Sequence, residues 1–393
     1  MANLDWAAGA ETGGMQEVDS ITGSPSAQAT VVRTGSYSYL CGQNVSFDSP
    51  VASADTNKHI AGFAVRFADV SPATAFQFCR GLVSGTTQIS LQIETNGDVT
   101  IRNAGGASAA TGTAPFTVNT WHFVELAWDH SDTGAAKLWI DGAEVASVAS
   151  ADFSTGAGAP FYIFLGSSSA SEDVYFDDLY TLSAATEADR FSNGAGAPYH
   201  QVFGYQNGNF TLSSSDSGLT PNDSTLAAGL WAAAAYTPED TTATSPKYTA
   251  NPADGAMRFD NAAANGRGPG PSGGAYTIDG TIKGARWIWR LFRGTGAGST
   301  HSGYYGNGTD TPIQAQTFSL TTTVATYTKI SVAANAVPLS TQVFAQGFGT
   351  SGAQDITCDE MWAMLSHVPP VVATEHYRAP AIVRQAAQRA AVR

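Results

Sequence analysis

Apolar and polar residues alternate in short runs along the first half of the chain. In the run 116–128, Phe123, Glu125 and Ala127 fall on one side of an extended strand, and Val124, Leu126 and Trp128 on the other. Further strand-like runs cover residues 35–40, 60–67, 75–78, 89–93, 99–101, 137–145, 161–165 and 174–182. Asn96-Gly97 and Asp141-Gly142 interrupt two of these stretches. Both dipeptides predict hairpins, because their residues tolerate positive φ. Many short strands with frequent turn signals predict a β-sandwich or barrel.

A second series of strands is expected at residues 275–278, 285–292, 316–322, 327–333, 341–344 and 356–365, with Trp287 and Trp289 sharing one face. Residues 226–236 are Ala-rich and read equally as a short helix or a strand. The organisation predicted is therefore a first β domain over 1–183, a linker over 184–200 rich in Ala, Gly and Ser, and a second β domain over 201–368. Val368-Pro369-Pro370 stops the last sheet. In residues 379–393, Ile382, Ala386 and Ala390 recur at helical spacing, which predicts a short helical tail within 369–393. A short motif recurs at the end of each β domain: Asp173, Asp177, Leu179 and Tyr180 align with Asp355, Asp359, Met361 and Trp362. This repetition suggests two related units, each closed by a strand of the same pattern.

Composition narrows the function classes. Only 13% of the 393 residues are charged, and the net charge is −14. Polar surface must come mostly from Ser, Thr, Asn, Gln and backbone, which suits strands and turns better than surface helices. The acidic balance argues against nucleic-acid binding, which needs clustered Lys and Arg. The opening MANLDWAAGAETGG has neither a basic nor an apolar signal region, and no apolar run approaches membrane-spanning length. Synthesis in the cytoplasm and no membrane partner are the expectations. The three cysteines, Cys41, Cys79 and Cys358, form no metal knuckle. Buried thiols are expected, with a Cys41–Cys79 bridge as the alternative. Against this acidic body, residues 369–393 carry four Arg and one Glu. Ile382, Arg384, Arg389 and Arg393 are the candidate residues for docking on a partner, the alternative being a solvent-exposed tail.

The segment Trp121-His-Phe-Val-Glu-Leu-Ala-Trp128, followed by Leu138-Trp-Ile-Asp-Gly-Ala-Glu-Val145, resembles the laminin-G/concanavalin A-like family over about residues 1–183. Glu11-Thr-Gly-Gly, Arg33-Thr-Gly-Ser-Tyr-Ser-Tyr-Leu40, the same hairpin and Phe176-Asp-Asp-Leu-Tyr-Thr-Leu182 follow in order. That order resembles the laminin-G-like virion structural proteins of tailed bacteriophages. Ile282-Lys-Gly-Ala-Arg-Trp-Ile-Trp289 in the second domain fits more loosely. The resemblance implies an all-β chain of two tandem jelly-roll sandwiches. It further implies a non-enzymatic component of the virion surface, assembled in the host bacterial cytoplasm: capsid decoration, head fibre, tail or tail fibre. Its partners would be other virion proteins, including major capsid or tail proteins, and copies of itself.

Two other function classes stay open. Glycoside hydrolases of this fold place carboxylates close together on one strand. Here Glu172, Asp173, Asp177 and Asp178 are the nearest candidates, with Asp173, Tyr175 and Asp177 on one face, although the Glu-x-Asp-x-x-Glu pattern is absent. The other class is an adhesin for host surface glycans, for which Tyr304 and Tyr305 in a polar stretch are the candidate contacts. No cofactor is expected apart from calcium. Asp129, Asp132 and Asp141 are its candidate ligands, although the Asp141 turn is explained by turn chemistry alone.

Overall fold

The computed structural model describes residues 2–204, apart from 11–13, 16, 35–36, 53–56, 155–160, 169–172 and 193–198. Beyond 204 it describes residues 319–320 and ten strands named below. The chain forms two compact units, one built on residues 1–201 and the other on 202–365.

The first unit is all-β, with two antiparallel sheets packed as one sandwich. Its strands are β1 (Asn3–Ala8), β2 (Ser20–Thr22), β3 (Ser26–Gln28), β4 (Ser38–Cys41), β5 (Val45–Asp48), β6 (Lys58–Phe67), β7 (Phe76–Val83), β8 (Thr86–Ile93), β9 (Val99–Arg102), β10 (Ser108–Gly112), β11 (His122–Asp129), β12 (Gly134–Ile140), β13 (Ala143–Ala151), β14 (Phe161–Ser167) and β15 (Val174–Ser183). One sheet runs β13-β12-β11-β6-β15-β4-β3, with β1 also on β15; the other runs β10-β9-β8-β7-β14-β5-β2. The inward rows, including Val124, Leu126 and Trp128 of β11 and Ile89, Leu91 and Ile93 of β8, meet in one buried core. Phe47, Phe63, Phe67, Phe78, Phe116 and Phe176 join there edge to face, with ring centroids 4.9–6.3 Å apart. Each such pair contributes about 0.5–1.5 kcal/mol beyond area burial. Cys41 and Cys79 lie in this core as buried free thiols, with burial raising both pKa values.

The two hairpins predicted from sequence are present, by different turn chemistry. Asp141 and Gly142 both adopt positive φ, 52° and 82°, as a two-residue loop between β12 and β13 requires. Between β8 and β9 only Gly97 does so, at 86°, while Asp98 N donates to the Asn96 carboxamide oxygen. The strand expected from residue 116 begins instead at His122. Residues 117–120 form a turn, closed by Thr120 N donating to Thr117 O, and Phe116 enters the core from a loop. Strands β1, β2, β3, β5 and β10 are too short or too polar to be legible as runs.

The described part of 184–200 differs from the expected linker. Ala185, Arg190, Phe191 and Ser192 are buried, and Glu187–Asp189 form a single 3-10 turn. The sandwich therefore extends to Ser192. The linker reading followed from the small residues that dominate the segment, among which Arg190 and Phe191 are the large anchors.

In the second unit, strands Leu219–Thr220, Tyr248–Ala250, Ile356–Val368, Thr281–Arg293 and Ala325–Pro338 pair in that order, with Tyr199–Gly204 also on Ile356–Val368. Strands Thr211–Ser215, Gly255–Asp260, Phe344–Ser351, Thr300–Asn307 and Gln314–Phe318 form another sheet. Strand Ile356–Val368 holds the same topological place as β15. Each pairs with one long strand, with a short strand, and with the strand that opens its own series. The repeated acidic motif thus sits on equivalent strands. The Ala-rich residues 226–236 and the expected strand at 275–278 lie outside the described residues.

Candidate functional site

The acidic cluster singled out in the sequence is divided by β15. Asp173 is exposed, Glu172 lies outside the described residues, and Asp177 and Asp178 are fully buried. Asp177 and Asp178 sit at a bulge, with Asp178 at φ 51°. Here one edge of β15 passes from β4, which pairs with residues 174–176, to β1, which pairs with 179–183. The Asp177 carboxylate accepts the backbone N–H groups of Arg33 and Thr34 at 3.1 and 3.2 Å. Asp178 accepts the Thr34 hydroxyl at 2.8 Å and pairs with the Arg33 guanidinium. Burial, and next the neighbouring Asp178 charge, push the Asp177 carboxyl well above its ordinary value, against the pull of Arg33 and the two N–H groups. These two carboxylates clamp the loop before β4 to the strand and offer nothing to a substrate.

A second buried charged cluster escaped the sequence reading, on the outer face of the eight-stranded sheet. Glu125 of β11, 1% exposed, accepts from Tyr180 Oη at 2.5 Å, Ser192 N at 3.0 Å and Arg190 Nη1 at 3.0 Å, and also from the Ser192 hydroxyl. Phe191 stacks on Tyr180 at 3.9 Å, and Arg190 lies 3.9 Å over the Trp139 ring. Burial, and next the Glu125 charge, raise the Tyr180 pKa well above its ordinary value. Gly62 makes room beneath, since a Cβ there would stand 2.0 Å from the Tyr180 ring. The alternation of β11 did put Glu125 on the outer side. What it could not show is that residues 185–192 come back to cover that side.

The calcium candidates do not converge. Asp141 Oδ2 lies 2.7 Å from His122 Nδ1, and Oδ1 accepts Phe123 N at 2.8 Å. Burial opposes ionisation of Asp141, but these bonds, with the His122 and Arg33 charges, hold its pKa below the ordinary value. Asp132 is exposed and Asp129 half-buried. Among the described residues no three His, Cys, Asp or Glu side chains gather into a metal-binding group. Near Asp129 a cavity of about 400 Å³ is lined by Lys58, His59, Trp128, Lys137 and Glu187 among others. His59 stacks on Trp128 at 5.3 Å, and Lys137 bonds Glu187 at 2.9 Å across the opening.

The outer face of the seven-stranded sheet is different. Direct cross-strand partners form one row over all seven strands: Ser20, Asp48, Phe164, Arg80, Ser90, Arg102 and Ser108. Directly opposed residues in an antiparallel pair share a face. The Arg80 guanidinium carbon lies 3.6 Å from the centroid of the Phe164 ring, and no hydrogen bond from that group is present among the described residues. Asp48 accepts the Ser20 hydroxyl at 2.6 Å on Oδ2, while its buried Oδ1 has no partner. Burial raises the Asp48 pKa and lowers that of Arg80. Arg102 bonds Glu94 at 3.2 Å and Gly106 O at 2.7 Å, leaving its buried Nε without a partner. Ser90 between the two arginines is 1% exposed, so the row dips there. Sequence alone offered a weak signal for this row, a polar residue at each alternate position of β8.

Tyr304 and Tyr305 lie within the strand Thr300–Asn307 rather than in a loop, opposite Gly347 and Gln346. Ile382, Arg384, Arg389 and Arg393 lie outside the described residues. Among the described residues no helix is long and apolar enough to cross a membrane.

Among curated protein sequences none matches this chain. Among solved structures, it is similar to an endo-β-1,4-glucuronan lyase from the fungus Trichoderma reesei, at 16% identity over 47% of this chain and 95% of that one, with a TM-score of 0.36. It is also similar to domain 4 of an extracellular arabinanase from Geobacillus stearothermophilus (13%, 46% and 93%, 0.34) and to the receptor-binding domain of botulinum neurotoxin type G (12%, 53% and 58%, 0.32). Residues 63–180 match the model of the concanavalin A-like lectin/glucanases superfamily. That span runs from β6 to β15 and includes the Asp141-Gly142 hairpin, so the sandwich of the first unit is a concanavalin A-like, laminin G-like domain.

Proposed function

We propose that this protein binds rather than transforms its target, as a non-enzymatic structural component of a bacteriophage particle. The observation that supports a binding role is the contrast in polar groups. Asp177 and Asp178 are engaged in holding a loop, whereas Phe164 and Arg80 lie half-buried on an outer face, the arginine side chain without a hydrogen bond among the described residues. The phage assignment rests on the ordered motifs from Glu11 to Leu182. In this reading the second unit is a related jelly-roll sandwich, a proposal supported by the equivalent closing strands. The protein works in several copies on the virion surface, assembled in the host cytoplasm. The basic segment 369–393, with Ile382, Arg384, Arg389 and Arg393, docks on an acidic patch of a capsid or tail protein. Immunogold electron microscopy of purified particles tests the assignment, with gold on head or tail expected. Deleting 369–393 is expected to leave the body folded and to prevent incorporation. Normal incorporation of the truncated chain would overturn the docking role, and absence of the protein from particles would overturn the phage reading.

A second reading, a carbohydrate-binding adhesin for host surface glycans, is favoured by the Phe164–Arg80 platform. An aromatic face beside polar groups suits a sugar ring. It is compatible with a place on the virion. A glycosidase or lyase role is tested by Asp173→Asn, with Asp177→Asn compared only where its denaturation midpoint matches that of the natural chain. Loss of any glycan cleavage in these variants would count against the binding reading.

A further inference from the structure

We propose that the outer-face row through Arg66 and Tyr175, with Asp173 at its corner, is a self-complementary contact between two copies of this chain. The inference rests on the reading of a protein that acts in several copies, and names the surface between them. Two parts of the outer face of the eight-stranded sheet are covered. Residues 190–192 close over Glu125, and Arg33, held by the Asp177–Asp178 clamp, lies 5.4 Å over the buried Phe123 ring. One row beyond Phe123 the face opens. Direct cross-strand partners there are Ser26, Leu40, Tyr175 and Arg66, so their side chains share a face. Ser26 is exposed and the other three are half-buried. Strand β11 begins with His122 opposite Val65, which sets the half-buried Trp121 at the level of Arg66. Arg66 donates from Nε to Asn119 O at 3.0 Å, and its guanidinium carbon lies 5.2 Å from the Tyr175 ring centroid. Its Nη groups make no hydrogen bond among the described residues and stay within reach of solvent. Val118, in the turn that Arg66 holds, is 43% exposed.

Charge and symmetry select a second copy as the occupant. Ala68 N donates to Asp173 O at 3.3 Å, which continues the β6–β15 register two positions beyond the Arg66–Tyr175 pair. Asp173 is therefore a diagonal neighbour of Arg66 on the same face, about 7–8 Å away. It is exposed, and no ion pair joins the two. A two-fold axis lying in the interface exchanges these positions, so that each Arg66 meets the Asp173 of the other copy. The two Nη groups donate side by side to one carboxylate, the geometry that makes arginine–carboxylate pairs strong. The same axis passes close to Tyr175 and Leu40, which meet their own counterparts. Trp, Tyr and Arg gathered on one patch are the residues that dominate interface energetics. An acidic segment of another protein would satisfy Arg66 and bring like charge against Asp173, whereas a second copy satisfies both. With a net charge of −14 two copies repel at long range, so association depends on these short contacts and is sensitive to reversing either charge.

The test is sedimentation analysis of the full chain and of charge-reversed variants. The natural chain is expected to dimerise. Arg66→Asp and Asp173→Arg, each alone, set like charges opposite one another twice in the dimer. Each is expected to weaken dimerisation at least about ten-fold, with an unchanged circular dichroism melt. An equimolar mixture of the two single variants is expected to dimerise as the natural chain does, because both pairs across the mixed dimer again have opposite charge. Tyr175→Ser is expected to weaken the dimer as well. If Arg66→Asp misfolds, Asp173→Arg at the exposed position and Tyr175→Ser carry the test. A monomeric natural chain, or dimers of full strength in both Asp173→Arg and Tyr175→Ser, would overturn the surface. A mixture of the folded single variants that dimerises no better than its components would overturn the two-fold pairing. Particle incorporation is read separately: a monomeric chain that still enters particles leaves the virion reading standing.

Discussion

The two outer faces of the sandwich solve the same problem in opposite ways. Each carries an arginine lying over an aromatic ring, Arg190 over Trp139 on the eight-stranded sheet and Arg80 over Phe164 on the seven-stranded one. Arg190 also meets Glu125 at 3.0 Å, in a cluster closed by Tyr180, Phe191 and Ser192. Arg80 has the ring and no acceptor. A charge buried with its partner belongs to the fold, because removing either member strands the other in a low dielectric. A half-buried charge without an acceptor contributes little to the fold and keeps its bonds for something else. The two arginines thus differ in what holds them: Arg190 has its acceptor within the fold, whereas Arg80 has a ring and the longer-range attraction of Asp48.

The largest expected effect breaks the matched side. Glu125→Ala leaves Arg190 and Tyr180 Oη without their acceptor, and should lower stability by about 3–5 kcal/mol, read as a fall in the urea midpoint followed by tryptophan fluorescence. Phe191→Ala opens the stack on Tyr180 and should cost about 3 kcal/mol. Limited proteolysis near residue 190 should accelerate in that variant. A smaller, pH-dependent effect comes from Asp177 within the clamp on Arg33 and Thr34. Its folded pKa lies above the ordinary 3.8, so the folded state holds that proton more tightly than the unfolded chain does. This contribution is full below pH 3.8 and declines as pH rises through the folded value. Urea midpoints of Asp177→Asn should decline less than those of the natural chain over the same rise, and an identical decline would remove Asp177 as the cause. The smallest effect sharpens the contrast: Arg80→Gln should change stability by no more than about 0.5 kcal/mol, measured by the same denaturation. A loss comparable to that of Glu125→Ala would place Arg80 on the structural side.

Much of the first domain was legible because its strands obey a period of two over long apolar runs. β6 and β15 were read nearly to their ends, β8 and β11 to one end, and Asp141-Gly142 announced its turn. The site residues were harder. Asp177 was the nearest catalytic candidate in a sequence read as non-enzymatic, because an acidic pair on one strand reads alike whether it faces solvent, a substrate or a loop backbone. Only the bulge at Asp178, where β4 gives way to β1, turns the pair inward. Arg80 drew no notice because the ring and the carboxylate beside it are distant in sequence. Phe164 and Asp48, its neighbours across the sheet, come from strands 84 and 32 residues away in the numbering.

Sequence by itself determined the all-β class, the hairpins and the division of β11 into a core side and an outer side, since these depend on residue spacing within single strands. It also marked the acidic body and the basic end. Tertiary structure decided which outer positions are covered and which charges meet. The return of residues 185–192 over β11 engages Glu125 and Arg190. The strand order β7-β14-β5 brings Arg80 beside Phe164 and Asp48. The reason is physical: alternation follows from local backbone geometry, whereas burial and pairing of a charge depend on strands and segments that meet only when the sheets close.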